Sequence, residues 1–324
     1  MYKGGNKIRK RLSVAVATYK RFTELNQELV RWLDGNLQDY VEFLVVNDSE
    51  RLQILEPAVV SWPRSEVKLI NHKRNLGYSE AFQSMLENCN TEYCLITADD
   101  DRLNISNLID IARKIDTCSA DIVAFEWLSV DGTEIKRLPA GNIEFERLRH
   151  ALNHAPGIMY KRSTVLPVLR SISIKFGGNS YAFRFFPQVL LAYKVFLKGK
   201  IKFVPIPVGG YRQEGPAPSD LKDSNGKGYG DAEVQIEIKT SMIEFLLNLK
   251  KGADKSQKKK ISTEAGFLCA ESVLMLRESL KNRDGARRKL FVKCVVLIFS
   301  HPALTIIGFI DLIAKRTGAV LDSK

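Results

Sequence analysis

Three consecutive aspartates, Asp99, Asp100 and Asp101, directly follow a strand-like run in the segment TEYCLITADDDR. Carboxylates this close repel one another, so the arrangement needs a positive partner. A divalent cation such as Mn²⁺ or Mg²⁺ is suitable, because it takes one or two protein carboxylates and fills its other positions with water and substrate phosphates. The alternative is an acidic turn that caps a helix beginning near Ile105.

These aspartates follow the fourth of five predicted strands. Short apolar or β-branched runs alternate with segments whose apolar residues recur at helical spacing. This alternation predicts an α/β fold with a mostly parallel sheet that is covered by helices on both faces. The predicted strands are 12–17, 40–48, 67–72, 92–98 and 121–128, and the helices between them include 79–89 and 105–115.

Polar residues follow the other strands as well. Tyr19 and Arg21 come after the first strand, Asp48 ends the second, and Arg74 comes after the third. In an open α/β sheet, ligands bind in the crevice at the carboxyl ends of the strands. The sequence therefore predicts that these residues and the aspartates share one crevice, with the chemistry to bind an anion and a metal.

Composition and charge restrict the class of protein. The chain has 324 residues, of which 45% are hydrophobic and 27% charged, so it is long enough for one large or two ordinary globular domains. Its net charge of +12 favours anionic partners such as nucleotides, nucleic acid or an anionic membrane face. Nucleic acid is not expected, because the basic clusters lack interleaved aromatic residues and no recognition motif appears.

The cysteines and the amino-terminal segment predict a cytoplasmic protein. The five cysteines are an odd number without CxxC spacing, which predicts reduced thiols rather than a disulfide framework or a zinc site. The basic amino-terminal segment leads into an apolar run that is too short for a secretory signal. We therefore expect no export.

Four segments occur along the chain in the order LSVAVATYKRF, FLVVNDSE, NHKRNLGYSEAFQ and TEYCLITADDDR. Together they resemble the nucleotide-binding half of inverting family 2 glycosyltransferases with the GT-A fold, of the type that builds bacterial surface polysaccharides. The resemblance implies a Rossmann-like GT-A domain over residues 1–215, with a nucleotide-binding half at about 10–130 and an acceptor half at about 131–215. It leaves 216–324 as a flap and a helical extension.

The resemblance also implies roles for individual residues. Tyr19 would line or stack on the nucleotide base, and Asp48 would accept a hydrogen bond from that base. Asp99 and Asp101 would hold Mn²⁺ or Mg²⁺ against the diphosphate. The implied contacts to the nucleotide-sugar are Tyr19, Arg21, Asp48, Arg74, Asp99 and Asp100.

Two positions depart from the family pattern. Residues 81–83 read Ala-Phe-Gln where an Ala-Arg-Asn triplet is common, so an arginine contact to the donor is absent or comes from elsewhere. Pro187 and Gln188 stand where an acid pair supplies the general base, and glutamine cannot accept a proton at neutral pH. The catalytic base stays unknown, with Asp231, Glu214 and Glu126 as candidates.

His150 and His154 are spaced four residues apart, which would place both on one face of a helix and could bind a transition metal. No third ligand lies nearby in the sequence, so one buried and one solvated histidine is the commoner case. His154 precedes an Ala-Pro-Gly turn and could instead line the acceptor side.

The carboxyl-terminal segment 290–316 alternates apolar runs with cations, and neither half reaches the roughly 20 residues of a spanning helix. It predicts interfacial helices at the inner face of the cell membrane, where each basic residue contributes about 1 kcal/mol near anionic lipid. The alternative is that these helices close the protein's own core.

Together these observations predict a metal-assisted, inverting glycosyltransferase. It would move a sugar from a nucleotide-diphosphate sugar to a glycan or lipid-linked acceptor in surface polysaccharide biosynthesis. The alternative is a non-catalytic GT-A-like protein that binds nucleotide or a membrane surface. Nucleotidyl transfer to a sugar phosphate ranks lower, because ATYKRF lacks the glycine-rich loop that holds a triphosphate.

Overall fold

A computed structural model describes residues 10–49, 67–129, 138–178, 180–211, 231–281, 301–306 and 308. Most of the predicted flap (209–231) and most of the apolar carboxyl-terminal segment (290–316) lie outside the described residues. Among the helices that are described, none is both long enough and apolar enough to cross a membrane.

Strands of the first 211 residues form one sheet. They are β1 (Leu12–Thr18), β2 (Val41–Asn47), β3 (Val67–Asn71), β4 (Tyr93–Ala98), β5 (Asp101–Leu103), β6 (Ile122–Leu128), β7 (Gly141–Asn142), β8 (Ile158–Lys161) and β9 (Ile201–Tyr211). Their order in the described sheet is β3-β2-β1-β4-β8-β6-β9-β5, with β7 paired to β9.

The half of the sheet formed by β3, β2, β1 and β4 is parallel throughout. Its register pairs Thr18 with Asn47 and Ala17 with Ala98, so the carboxyl ends of β1, β2 and β4 lie at one edge. Beyond β4, strand β8 runs antiparallel between β4 and β6, while β6 and β9 are parallel to each other. This confirms the predicted α/β class and places the predicted strand ends side by side.

Helices follow most of the strands. They are α1 (Phe22–Asp34), α2 (Tyr78–Asn88), α3 (Ile105–Lys114), α4 (Leu148–Leu152), α5 (Arg162–Phe176), α6 (Tyr181–Phe185), α7 (Pro187–Phe196), α8 (Ala232–Lys250) and α9 (Lys255–Lys281). The bounds of α2 and α3 agree with the sequence prediction to within one residue. The helical extension predicted within 216–324 contains α8 and α9.

The core beside the parallel strands is built from apolar residues at the predicted spacing. In α1, Leu25, Leu29 and Trp32 are buried at helical intervals and face the sheet. The Trp32 ring stacks on Phe43 of β2, with the ring centroids 5.2 Å apart. Burial of each such large side chain contributes about 1.5–3 kcal/mol. This packing fixes the helix that starts directly after the turn carrying Tyr19 and Arg21.

The chain divides into two compact units. The first comprises Met1–Ile143, His150–Ser171 and Lys198–Gly215, and its described residues contain the whole sheet. The second comprises Glu144–Arg149, Ile172–Leu197 and Pro216–Lys324, and its described residues are mostly helical. The predicted domains, 1–215 and 216–324, stay a prediction.

In the second unit, α9 makes a close backbone contact with Leu304 and Gly308. A Cβ on Gly266 would lie 2.5 Å from the carbonyl oxygen of Leu304 and 3.0 Å from the amide nitrogen of Gly308. Real Cβ atoms do not approach backbone atoms at 2.5 Å, so either the segment or the helix must shift to admit a side chain there. Glycine at position 266 therefore allows the two segments to touch.

We expect Gly266→Ala to lower the free energy of unfolding by about 1–3 kcal/mol, because overpacking at this contact outweighs the roughly 1 kcal/mol that alanine gains in a helix. Urea unfolding measures the change. Gly252→Ala is the matched control, since a Cβ there has no atom within 4 Å. If both variants match the wild type, the contact of α9 with Leu304 and Gly308 does not stabilise the fold.

Candidate functional site

The turn after β1 carries Tyr19, Lys20 and Arg21. Lys20 has a φ of +64°, an uncommon left-handed conformation for a residue other than glycine. The turn brings the backbone N–H of Tyr19 to 3.3 Å from Oδ2 of Asp99. The Tyr19 side chain remains 44% exposed, so its ring is accessible at the carboxyl edge of the sheet.

Arg21 is the positive partner of the acidic segment. Its guanidinium forms an ion pair with Asp100, and its Nη1 lies 3.6 Å from Oδ1 of Asp99. One guanidinium thus faces three neighbouring carboxylates. If all three are ionised, the cluster keeps a net charge of about −2.

The aspartates differ in their surroundings. Oδ2 of Asp101 accepts a hydrogen bond from the backbone N–H of Ala98 at 3.0 Å, whereas its buried Oδ1 has no hydrogen-bond partner among the described residues. Burial, with a further contribution from Asp100, raises the pKa of Asp101 to about 8. Burial also raises the pKa of Asp99 to about 6, although the neighbouring Thr18 side chain opposes the shift. The cluster is short of positive charge.

The burial of Asp101 predicts a pH dependence of stability. The raised pKa of Asp101 means that the native chain keeps a proton that the unfolded chain releases above its ordinary pKa of 3.8. The stabilising contribution of that proton is complete below about pH 4 and is lost as the pH rises through about 8. Without ligand, the free energy of unfolding should therefore fall across this range through Asp101.

Urea unfolding at pH 5 and pH 8 checks this prediction. Asp101→Asn should remove part of the decline with pH, whereas Asp110→Asn, which changes a side chain that is 61% exposed on α3, should not. An equal decline in the wild type and in Asp101→Asn would show that the raised pKa is absent.

Asp48 anchors the segment 72–77. Its Oδ1 accepts a hydrogen bond from the backbone N–H of Leu76, and its Oδ2 accepts one from that of Gly77, both at 2.8 Å. Nδ1 of His72 lies 2.8 Å from Oδ1 of Asp48, and Nε2 of His72 lies 2.8 Å from Oγ of Ser84. This network of buried and half-buried groups fixes the path of the segment that carries Arg74.

Asp48 is also tied to the end of β1. Its backbone N–H donates to the carbonyl oxygen of Thr18 at 3.0 Å, directly before Tyr19. The structure thus brings Tyr19, Arg21, Asp48 and the acidic segment around the carboxyl end of one strand. Arg74 is exposed in the anchored segment 72–77. The role of Asp48 in holding this segment was not visible in the sequence, because its partners are 24 to 29 residues away.

An aromatic group lies beside the acidic segment in the first unit. Tyr211 pairs with Asp101 between β9 and β5, and the Tyr211 ring centroid is 4.9 Å from that of His154. The His154 ring is in turn 5.8 Å from Trp127. Neither Tyr211 nor Trp127 belongs to a sequence motif, so neither was predicted to lie near the site.

The predicted histidine pair does not share a helix. Helix α4 ends at Leu152, so the four-residue spacing of His150 and His154 does not continue on one helical face. Among the described side chains, no group of three or more His, Cys, Asp or Glu residues could hold a metal ion.

The candidates for the catalytic base lie in different places. Glu126 is buried in β6, at a shift in its register with β9. Asp231 is exposed in the second unit, at the N-cap of α8, and Glu214 lies outside the described residues. Pro187 and Gln188 form the first turn of α7, where Gln188 is buried.

Comparison with known proteins decides the family. The model of glycosyl transferase family 2 matches residues 13–180, which is more than half of the chain. The chain belongs to glycosyl transferase family 2. This confirms the family that the four sequence segments resemble.

A curated relative is the uncharacterized glycosyltransferase YwdF of Bacillus subtilis. It is 26% identical over 161 residues, which cover 47% of this chain and 58% of YwdF. The match therefore spans little more than half the length of this relative.

Solved structures share the fold. The crystal structure of Staphylococcus aureus TarS residues 1–349 has a TM-score of 0.61 at 16% identity, covering 89% of this chain and 79% of that chain. The complex of the same TarS segment with UDP-GlcNAc has a TM-score of 0.58 at 18% identity, covering 80% and 72%. The likeness confirms the predicted GT-A fold.

Proposed function

We propose that the protein transfers a sugar from a nucleotide-diphosphate sugar to a hydroxyl acceptor. The observation that supports this most is the meeting of the turn after β1 with the acidic segment after β4. That meeting is held by the Tyr19 contact to Asp99 and by the Arg21 pair with Asp100. Family membership supports the same reaction, and TarS, which shares the fold, has been crystallised with UDP-GlcNAc.

We assign the contacts to the nucleotide-sugar from the exposure of the Tyr19 ring and from the charges of the arginines and aspartates. The exposed Tyr19 ring can stack on the nucleotide base, since every base presents a π-face. Arg21 and Arg74 supply positive charge for the diphosphate, and the exposed guanidinium of Arg74 can bind it in bidentate geometry. Asp99 and Asp100 can accept hydrogen bonds from the ribose hydroxyls.

The acidic segment fits a divalent cation. The buried Oδ1 of Asp101, without a hydrogen-bond partner in the described part of the chain, is an oxygen acceptor of the kind that Mn²⁺ or Mg²⁺ prefers. We assign the cation to Asp99 and Asp101, whose pKa values are raised first by burial and further by the charge of Asp100. When bound, such a cation neutralises charge on the leaving nucleoside diphosphate.

The acceptor hydroxyl must lose a proton as it attacks the sugar carbon, so transfer with inversion needs a base. Of the three candidates, Glu126 belongs to the same compact unit as the acidic segment. The resemblance supports a glycan or lipid-linked acceptor in surface polysaccharide biosynthesis, at the cytoplasmic face of the membrane. These finer assignments are part of the proposal.

A panel of UDP-, GDP-, dTDP- and CDP-sugars, with and without Mn²⁺, tests the proposal. A ligand that binds only the native state raises its thermal stability by mass action. We expect stabilisation by one nucleotide class, stronger with Mn²⁺, followed by release of nucleoside diphosphate when membrane-derived acceptors are added. Asp100→Asn should lose both effects, and the exposed control Asp110→Asn should keep them.

Stabilisation by no member of the panel would contradict the proposal. Stabilisation without release, with any cell-derived acceptor, would favour the non-catalytic nucleotide-binding alternative.

The network around Asp48 gives a separate prediction for the donor site. His72→Ala removes the imidazole between Asp48 and Ser84 and should loosen the segment 72–77. We expect nucleotide binding to weaken about tenfold, corresponding to roughly 1.4 kcal/mol for lost hydrogen bonds. Calorimetric titration with the nucleotide selected by the panel measures this.

Two variants make this test specific. His72→Asn can return an N–H donor to Asp48 and should recover part of the affinity. His150→Ala, at an exposed histidine, should bind as the wild type does. If His72→Ala also binds normally, the segment 72–77 does not depend on this network for nucleotide binding.

A further inference from the structure

Lysines crowd one region of the second unit. Residues 250–260 contain six lysines and one acid, Asp254. Two more lysines, Lys175 and Lys194, belong to α5 and α7 of the same unit. We call these eight residues the lysine face: Lys175, Lys194, Lys250, Lys251, Lys255, Lys258, Lys259 and Lys260.

The elements that carry the lysine face contact one another. Nζ of Lys175 lies 3.3 Å from Oδ1 of Asn248, near the end of α8. Nε2 of Gln257, in the first turn of α9, donates to the carbonyl oxygen of Leu197 after α7 at 3.1 Å. Nζ of Lys260 lies 5.7 Å from the Phe196 ring centroid. The lysines therefore share one region rather than being scattered along the sequence.

Little negative charge offsets this region. Asp254 serves as a helix cap, since its Oδ1 accepts from the backbone N–H of Gln257 at 2.8 Å. The first turn of α9 contains no acidic residue. The positive end of a helix dipole favours acidic residues and disfavours lysines, so this composition is unfavourable for the helix. Within the described chain, Lys250, Lys251, Lys255, Lys258 and Lys259 form no ion pair.

Two lysines of the face, Lys175 and Lys194, are close enough for their charges to interact. Burial lowers the pKa of Lys194, and the nearby charge of Lys175 lowers it further. A sequence that places like charges together at the unfavourable end of a helix breaks local preference, and such departures in natural proteins concentrate at functional sites.

An exposed apolar side chain accompanies the charges. Ile174 is 89% exposed and directly precedes Lys175 near the end of α5. A single exposed isoleucine is ordinary on a protein surface. Beside a dense lysine cluster, it matches the composition of surfaces that lie in a membrane interface, where cations meet lipid phosphates and apolar side chains enter the headgroup boundary.

We propose that the lysine face binds the surface of an anionic lipid bilayer, with Ile174 entering the headgroup region. A soluble polyanion would satisfy the lysines but would offer nothing apolar for Ile174. The bilayer satisfies both features. This inference concerns the second unit and does not depend on glycosyl transfer at the acidic segment.

Binding to lipid vesicles tests the proposal on the full-length protein. Vesicles of phosphatidylglycerol and phosphatidylcholine in equal parts should bind the wild type, and vesicles of phosphatidylcholine alone should not. Lys255→Glu/Lys259→Glu should weaken binding about a hundredfold, because two attractive charges near the bilayer become repulsive. The matched control Lys114→Glu/Lys200→Glu makes the same change in net charge at two exposed lysines of the first unit.

The test variant should remain folded. Glutamates in the first turns of α9 suit the helix dipole better than lysines, so its thermal stability should be equal to or above that of the wild type. Nucleotide stabilisation should also persist, which separates loss of vesicle binding from failure of the donor site. The control should bind vesicles within about threefold of the wild type.

Ile174→Ser distinguishes a bilayer from a soluble polyanion. It should weaken vesicle binding several-fold while leaving binding to polyphosphate unchanged. The proposal is overturned if Lys255→Glu/Lys259→Glu and its control lose vesicle binding equally. It is also overturned if Ile174→Ser binds vesicles as the wild type does, since the lysines would then be a general polyanion surface.

Discussion

Asp101→Asn should reduce donor turnover by about a hundredfold or more. Asparagine can keep an acceptor for the backbone N–H of Ala98, but it removes the carboxylate charge assigned to the cation. The dependence of activity on Mn²⁺ should weaken with it. The substitution removes a carboxylate charge from a side chain that is only 1% exposed. The free energy of unfolding of the ligand-free protein at pH 8 should therefore stay the same or rise.

Steady-state release of nucleoside diphosphate, measured with and without Mn²⁺, checks this result, and urea unfolding checks the fold. Asp110→Asn on the exposed face of α3 should behave as the wild type. If Asp101→Asn turns over donor normally and wild-type activity ignores a chelator, the metal assignment to Asp99 and Asp101 is wrong.

Arg149→Met should lower the free energy of unfolding by about 3–5 kcal/mol. In the second unit, Nε of Arg149 lies 3.1 Å from Glu264, and the other guanidinium nitrogens lie 3.2 and 3.3 Å from the two oxygens of Glu271. Tyr193 donates to Glu264 at 2.7 Å. Burial alone would lower the pKa of Arg149, but both glutamates outweigh burial and raise it. Methionine would leave these carboxylates without their main cation.

Urea unfolding of a set of variants distinguishes loss of the Arg149 ion pairs from loss of side-chain volume. Arg149→Met/Glu264→Gln/Glu271→Gln removes the stranded charges and should recover most of the lost stability. Tyr193→Phe should cost only about 1 kcal/mol, the usual value for one hydrogen bond. A triple variant as unstable as Arg149→Met would show that the buried charges are not the cause.

The sequence predicted the parallel half of the fold well. In α1 and in the strands β1, β2 and β4, local apolar patterns and burial agree, so spacing alone identifies the elements. The position of the polar residues at the strand ends then follows from the topology of parallel sheets. The antiparallel strand β8 between β4 and β6 could not be predicted in this way, because alternation of elements carries no information about strand order.

Side-chain partners were the harder part of the site. The Arg21 pair with Asp100 joins residues 79 positions apart, and nothing local in either segment specifies it. Asp48 was expected to face a nucleotide base, yet three of its interactions hold the segment 72–77 instead. A carboxylate oxygen can still accept a further hydrogen bond, so base contact stays a prediction. Tyr211 entered the site through the β5–β9 pairing, which no motif marks.

Hydrogen exchange on the 324-residue chain, with the nucleotide selected by the donor panel and Mn²⁺, tests whether the nucleotide binds at the acidic segment. We predict that bound nucleotide slows exchange in peptides covering residues 18–21, 72–77 and 97–103 together, and that Asp101→Asn loses this protection. Protection that appears only outside these three segments would show that the acidic segment and the turn after β1 do not form the nucleotide site.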